Sequence, residues 1–243
     1  MEVTFERMID AGCGGKKNED AYWVKKADYQ GKCAVLAMVC DGVGGAGRGD
    51  LASQKTIDYL VGGFWSNLPL YLEQKYSMKQ LGQIIEKYLR RANEKLYEEA
   101  KTNGYITGTT VALYFMLGDE YMIFNVGDSR VYWEKKKGFY RTRDHTWYER
   151  KKHEGGEREK HLLWQSIGSQ RRLCPDLYTG QVENNMRILL VTDGAYRSFD
   201  KNELRIYCRN GNLRHMKRMA KKRKEQDNMT GVRIEIRETS KDR

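Results

Sequence analysis

The sequence predicts a layered α+β fold. Three observations carry that expectation. Strand-like runs follow one another as adjacent hairpins, "TTVALYFML" (109–117), "EYMIFNV" (120–126) and "RVYWEK" (130–135). Two long helical patterns stand together before them, separate from the hairpins. No regular strand–helix–strand alternation runs through the chain, which argues against a doubly wound parallel sheet.

The elements can be justified in order. Val35 to Val39 is a short, wholly apolar run and reads as a buried strand. From Asp50 to Trp65, Leu51, Ile57, Leu60, Val61, Phe64 and Trp65 suit one apolar helix face. Ser77 with Gln80 resembles a capping box that opens a second helix, with a stripe through Leu81, Ile85, Leu89 and Leu96. "LGDE" (117–120) is a turn joining the first two hairpin strands. "RILLVT" (187–192) is another strand, and "GVRIEIRE" (231–238) alternates cleanly. A helix at about 213–225 precedes that last strand. The stretch from His145 to Glu183 contains "HEGGEREK" and little periodicity, so it reads as an irregular insertion of the kind that forms a flap.

Composition narrows the class. The 243 residues fit one domain, and 40% hydrophobic residues suffice for a core. There is no signal-peptide run and no stretch of roughly 20 apolar residues, so a monomeric cytoplasmic protein without a membrane segment is the expectation. Five cysteines without a C-x-x-C pair argue against zinc knuckles and disulfide frameworks. Net charge is +11, with basic clusters at Lys135–Lys137, Arg150–Lys152 and Arg214–Lys224. Such clusters attract acidic or phosphorylated proteins, but no zinc-finger spacing or aromatic-interleaved basic motif supports specific nucleic-acid binding.

Acidic residues mark the strand ends. Asp41 follows the first strand in "VCDGVGGAGRGDLAS" (39–53), Asp128 follows "IFNV", and Asp193 follows "ILLVT". Asp227 precedes the last strand and Asp20 precedes a strand beginning "AYWV". Carboxylates gathered at one rim of a sheet repel one another unless cations neutralise them. An oxygen-only donor set suits Mg²⁺ or Mn²⁺; zinc would favour His or Cys.

Seven short motifs, in order, resemble the metal-dependent protein phosphatases of the type 2C serine/threonine class in their compact bacterial form. They are "NED" (18–20), "VCDGVGG" (39–45), "GTT" (108–110), "NVGDSRVY" (125–132), "TRDHT" (142–146), "LLVTDG" (189–194) and "DNMTGV" (227–232). The resemblance implies a four-layer α-β-β-α sandwich, two antiparallel sheets flanked by helix pairs, with a binuclear Mn²⁺/Mg²⁺ centre at one end. It also implies hydrolysis of phosphoserine and phosphothreonine in proteins, with a metal-activated water as nucleophile and no covalent intermediate. Phosphorylated substrates of a serine/threonine kinase would be the partners, in a signalling role.

Carried over residue by residue, Asp41 would bridge two metals and the Gly42 carbonyl would ligate one. Asp193 and Asp227 would complete the other shell, making Asp41, Asp193 and Asp227 the catalytic set. Asp20 would bind or orient metal waters, with Glu19 beside it. Asp128 would help Asp193 hold a third, weaker ion. The glycines after Asp41 would bring backbone close to the ions. His145 and Thr146 belong to a motif read as structural, and 146–185 would be the flap.

Two positions depart from the resemblance. Gly15 stands where the family has a phosphate-gripping arginine, which leaves Lys16 or Lys17 to supply the charge, without arginine's bidentate fork. Val43 stands where animal members place a histidine. The missing arginine motivates the alternative of a weak pseudophosphatase that binds phosphoproteins without turnover. Two rivals fail. Gly42, Gly44 and Gly47 match G-x-G-x-x-G, but no second acid-ended strand follows the helix, and Asp41 would face the pyrophosphate. Cys208 and Arg214 match C-x5-R, but no glycine-rich anion loop surrounds them.

Overall fold

The computed structural model describes residues 1–43, 48–152 and 156–237. The chain begins with strands β1 (Glu2–Asp10), β2 (Ala21–Tyr29), β3 (Lys32–Cys40) and the short β4 (Gly42–Val43). Helices α1 (Gly49–Gly63), α2 (Leu68–Glu73) and α3 (Met78–Asn103) follow. Then come β5 (Gly108–Thr109), β6 (Val111–Leu117), β7 (Glu120–Val126), β8 (Arg130–Lys135) and β9 (Gly138–Arg141). Short helices α4 (Trp147–Arg150) and α5 (Glu157–His161) lead to β10 (Asp176–Gln181) and β11 (Arg187–Val191). The chain closes with α6 (Asp193–Tyr196), α7 (Lys201–Asn210), α8 (Leu213–Lys222) and β12 (Met229–Arg237).

Two five-stranded antiparallel sheets, in the orders β1-β12-β11-β8-β9 and β10-β7-β6-β3-β2, pack face to face. β3 shows why the layers stack this way. Val35, Ala37 and Val39 enter the core between the sheets, while Leu36, Met38 and Cys40 face the core beneath α1 and α3. With a side-chain period of two, an all-apolar strand must be covered on both faces. On the other side, Leu189 and Val191 of β11 meet Leu204 and Cys208 of α7 and Leu213 and Met216 of α8. The result is the α-β-β-α sandwich expected from the sequence.

α3 starts where the capping box predicts: Gln80 N–H donates to Ser77 Oγ (3.3 Å) and Gln80 Oε1 accepts from Ser77 N–H (2.9 Å). It ends at Gly104 in the left-handed region (φ 68°). The run at 109–117 is divided, because Gly108–Thr109 pairs with Gly42–Val43 before β6 begins. The helix expected to Trp65 stops at Gly63, and the one expected to 225 stops at Lys222. β1 escaped the sequence reading. Its charges hide an edge strand whose Val3 and Phe5 pack on the inter-sheet core, paired with β12 from Glu2 to Asp10.

The irregular insertion expected at 146–185 needs correction. Residues 176–181 form β10, hydrogen-bonded along β7 from Asp176 to Gln181, with alternating partial burial. "DLYTGQ" has only one half-buried face to show, at a sheet edge, so its periodicity is faint. His145 and Thr146 root the segment. His145 Nδ1 accepts from Gly127 N–H (3.3 Å) and lies 2.8 Å from Gln165 Nε2, while the Thr146 hydroxyl caps α4. The glycines at 44, 45 and 47, and positions 153–155, lie outside the described residues.

Candidate metal centre

Strand register brings the acidic positions to one end of the sandwich. Ala21 pairs with Cys40, so Asp20 and Asp41 leave adjacent strands side by side. Val191 pairs with both Gly231 and Arg130, which brings Asp193, the approach to β12 and the approach to β8 to the same end. A cleft of about 560 Å³ opens there, lined by Asp41, Gly42, Val43, Asp128, Asp193 and Asp227, and across from them by His161–Trp164, Ser166, Ser169 and Gln170. Of the residues predicted for the site, Asp20 lies buried behind the cleft wall, and Glu19, Lys16 and Lys17 do not line the cleft.

Threonines brace the acids. Asp41 N–H donates to Thr110 Oγ1, and the Asp41 carbonyl accepts from Thr110 N–H and Thr109 Oγ1, each at 2.9 Å. Thr110 Oγ1 stands 2.6 Å from Ser129 Oγ, tying Asp41 to the residue after Asp128. Thr192 Oγ1 donates to Asp20 Oδ2 (2.8 Å) and accepts from Thr230 N–H (2.9 Å), linking the two sheets. Arg130 holds Asp144 bidentately (2.8 and 2.6 Å) and stacks on the Tyr196 ring, whose hydroxyl donates to the Asp128 carbonyl (3.0 Å). Sequence reading singled out the motifs containing these residues but missed their bracing role. A hydroxyl's partner across 38 or 172 positions leaves no local trace.

Three predicted residues face elsewhere. The Glu19 carboxylate accepts from Gly49 N–H (3.0 Å) at the start of α1, and its carbonyl accepts from Ser53 Oγ (2.6 Å). Gly42 packs so closely on Gly49 that a Cβ would sit 2.3 Å from the Gly49 carbonyl carbon, so only glycine fits where β4 meets α1. Lys17 Nζ pairs with Asp50 at 2.6 Å. Lys16 is exposed and pairs with no carboxylate among the described residues. Gly15 has φ +66°, so its backbone already occupies the left-handed region.

The electrostatics are those of crowded acids. Burial, with Asp193 and Asp227 adding to it, pushes Asp20 up to about 7 despite the Thr192 hydrogen bond. Burial, then Asp20, Asp193, Asp128 and Asp227, hold Asp41 well above the ordinary carboxylate range. Burial and Asp193 do the same to Asp128. Burial also raises Asp193, and Arg197 offsets this only in part. The Arg197 guanidinium contacts Asp193 and lies 3.6 Å from Asp227.

Among the described residues no three His, Cys, Asp or Glu side chains are drawn into a closed coordination shell. The donor set nevertheless fits a hard divalent cation. Its side-chain donors are carboxylates, and Asp20 Oδ1 and Asp193 Oδ1 are buried without a hydrogen-bond partner among the described residues. Arg197 already stands as a cation between two of the acids. Cations at this end would relieve the repulsion that holds these carboxyls up.

Fold and cleft together define a two-sheet α+β protein with an oxygen-only acidic site at one end of its strands. Residues 13–231 match the protein phosphatase 2C family, and the chain belongs to that family. It is 24% identical over 217 residues to the protein phosphatase PhpP of Streptococcus pneumoniae, covering 84% of this chain and 83% of that protein. The fold matches that of the serine/threonine phosphatase Stp1 from Staphylococcus aureus, with a TM-score of 0.82 at 24% identity over 98% of this chain and 96% of that one. It also matches the catalytic domain of the serine/threonine protein phosphatase PstP in complex with two manganese ions, with a TM-score of 0.77 at 20% identity over 97% and 99% of the two chains. No helix among the described residues is long and apolar enough to cross a membrane.

Proposed function

We propose that this chain hydrolyses phosphoserine and phosphothreonine in proteins, at the acid-lined cleft and with Mn²⁺ or Mg²⁺. The observation that carries this reading is the convergence of Asp20, Asp41, Asp128, Asp193 and Asp227, from five strand ends, with two buried carboxylate oxygens left unpartnered. In this reading Asp41, Asp193 and Asp227, with the Gly42 carbonyl, hold two core ions. Asp128 helps hold a third, weaker one. Asp20 works from behind the wall, fixed by Thr192. Glu19 contributes by fixing the start of α1 against β4. When bound, such cations supply a nucleophilic water at neutral pH and neutralise the phosphoryl oxygens.

The chain's own residues set the rest. Thr109 and Thr110 fix the Asp41 backbone, so its carboxylate is aimed before any ligand arrives. Val43 has no proton to give the departing serine or threonine oxygen. The stretch His161–Trp164 walls the far side of the cleft and limits access. Lys16 remains the proposed phosphate contact, since Lys17 is engaged by Asp50. Hydrolysis of p-nitrophenyl phosphate and a phosphothreonine peptide, with and without Mn²⁺, tests the reading. Mn²⁺-dependent turnover is expected. Peptide binding with no turnover in any divalent cation would establish the pseudophosphatase alternative.

A further inference from the structure

The basic cluster at Lys135–Lys137 lies at the far end of the molecule from the acids. β8 runs from Arg130 beside the acidic end to Lys135, and β11 runs from Arg187 towards Asp193. At about 3.3 Å per residue, the six steps from Arg187 to Asp193 span roughly 15–20 Å. A pocket of about 260 Å³ lies at this end, where Lys135 and Lys136 leave β8, Arg187 enters β11, and Arg205 and Arg209 project from α7. Asn184 and Asn185 complete it, and among the described residues Glu134 is the one acid that lines it, with Glu183 beside Lys135 and Lys136.

Glu134 is 4% exposed, and two arginines use up its carboxylate. Arg209 grips both oxygens, through Nε (3.0 Å) and Nη2 (2.5 Å), and Arg205 Nε donates at 2.8 Å. Burial would raise this carboxyl, but Arg209 and Arg205 outweigh burial and hold it below its ordinary value. It is therefore a fixed anion that draws two guanidiniums, four residues apart on one helix, to the pocket wall. Their other nitrogens, Arg205 Nη1 and Nη2 and Arg209 Nη1, have no protein acceptor among the described residues. Among the described residues Lys136 engages only through its backbone N–H, donated to Glu183 Oε2 (3.0 Å). Lys135 is taken up by the Gln181 carbonyl (3.0 Å), Glu183 (3.7 Å) and the Tyr121 ring. Arg187 faces Glu235 at 3.4 Å and donates Nη1 to the Asn185 carbonyl.

The pocket thus holds more donors and more positive charge than its carboxylate consumes. We infer that it is a binding site for a phosphate monoester dianion, separate from the acid-lined cleft. Several oxygens and two negative charges suit guanidiniums and an ammonium arriving from a turn, a strand and a helix. The inference is independent of the hydrolytic reading, because none of these residues lines the cleft.

The test uses the full chain treated with chelating resin, so that divalent cations at the cleft do not compete for the probe. Inorganic phosphate, a phosphoserine peptide and sodium chloride at matched ionic strength are titrated in turn, observing the arginine Nε–Hε resonances. Arg205 and Arg209 are expected to shift saturably with phosphate and the peptide, and not with chloride. Tighter binding of the peptide would assign the phosphate to a protein partner, and equal affinity would assign it to a free phosphate group. Lys136→Ala with Arg205→Gln should weaken binding at least about tenfold, the worth of a lost charge-assisted contact. Arg209 remains to hold Glu134 in that variant, and turnover of p-nitrophenyl phosphate should not change. Lys136→Ala alone repeats the measurement if the double variant is unstable, since its side chain has no hydrogen bond or ion pair among the described residues. Shifts that match chloride, or unaltered affinity in the Lys136→Ala protein, would overturn the site.

Discussion

The two ends of β8 and β11 treat buried carboxylates in opposite ways. At one end Asp20, Asp41, Asp128 and Asp193 crowd together, and burial and mutual repulsion hold each above its ordinary pKa. At the other, Glu134 also shows little surface, but its carboxylate lies shallower than theirs and two guanidiniums outweigh its burial, holding it below its ordinary value. The same sandwich therefore carries an unsatisfied anionic pole at one end and a satisfied one at the other. Structural stability alone would favour the second arrangement everywhere. The first persists where a ligand is to supply the missing charge, which is what a perturbed cluster in a cleft signals.

The largest effect should come from the acidic pole. Asp41→Asn is expected to lower Mn²⁺-dependent turnover on the order of a thousandfold, the several kcal/mol that a positioned cation contributes. Its cation-free melting temperature should equal or exceed that of the wild type, since one repelling charge is gone. Calorimetry and thermal melts check both halves. Wild-type Mn²⁺ affinity in this variant would remove Asp41 from the site.

Next in size is a pH effect at Asp20. A carboxyl whose folded-state pKa is raised binds more protons folded than unfolded, so its contribution to stability falls as pH rises from about 4 to about 7. At about 1.36 kcal/mol per unit, the loss is on the order of 4 kcal/mol. Asp20→Asn, measured by urea unfolding without divalent cations, should be more stable than the wild type by a margin that grows across that window. A constant margin would mean that Asp20 is not held up as described.

Glu134 should give the opposite slope. Its lowered pKa contributes stability above the unfolded value of 4.5, and that contribution is lost as pH falls. Glu134→Gln should therefore cost about 1–2 kcal/mol at neutral pH, a modest figure because Arg205 and Arg209 remain about half exposed to screening solvent. The cost should shrink below pH 4.5, with turnover untouched. Matching slopes for Glu134 and Asp20 would erase the contrast between the poles.

The smallest effects concern the lysines. Lys17→Ala removes an exposed pair with Asp50, worth at most about 1 kcal/mol, and should leave KM within about twofold. Lys16→Ala should raise KM several-fold. Identical KM values for both variants and the wild type would leave neither lysine on the phosphate. Gly15→Arg, which would restore an arginine at that position, is expected to be strained, because Gly15 sits at φ +66°.

Much of the fold was legible because it rests on periods of two and of about 3.6. The wholly apolar β3, the capping box before α3 and the β6–β7 hairpin declare themselves locally, whereas β8, expected to continue that run of hairpins, crosses to the opposite sheet and pairs with β9 and β11. β1 and β10 did not declare themselves: charges mask the alternation of β1, and β10, at a sheet edge, is only half-buried on one face and exposes Leu177 on the other. The acids of the site were legible as aspartates at strand ends, and the ordered motifs gave the family.

What the sequence by itself determined is therefore the central strands, the long helices α1, α3 and α8, the family and which carboxylates sit at strand termini. Local pattern and motif order need no knowledge of the third dimension. Tertiary structure alone decided which acids meet, because register aligns Ala21 with Cys40 and Val191 with Gly231 across the chain. It alone turned Glu19 towards α1, tied Lys17 to Asp50, brought Arg197 between Asp193 and Asp227, and drew Arg205 and Arg209 onto Glu134. Electrostatic energy depends on distance and burial, and neither can be read from positions 71 or 75 residues apart along a chain.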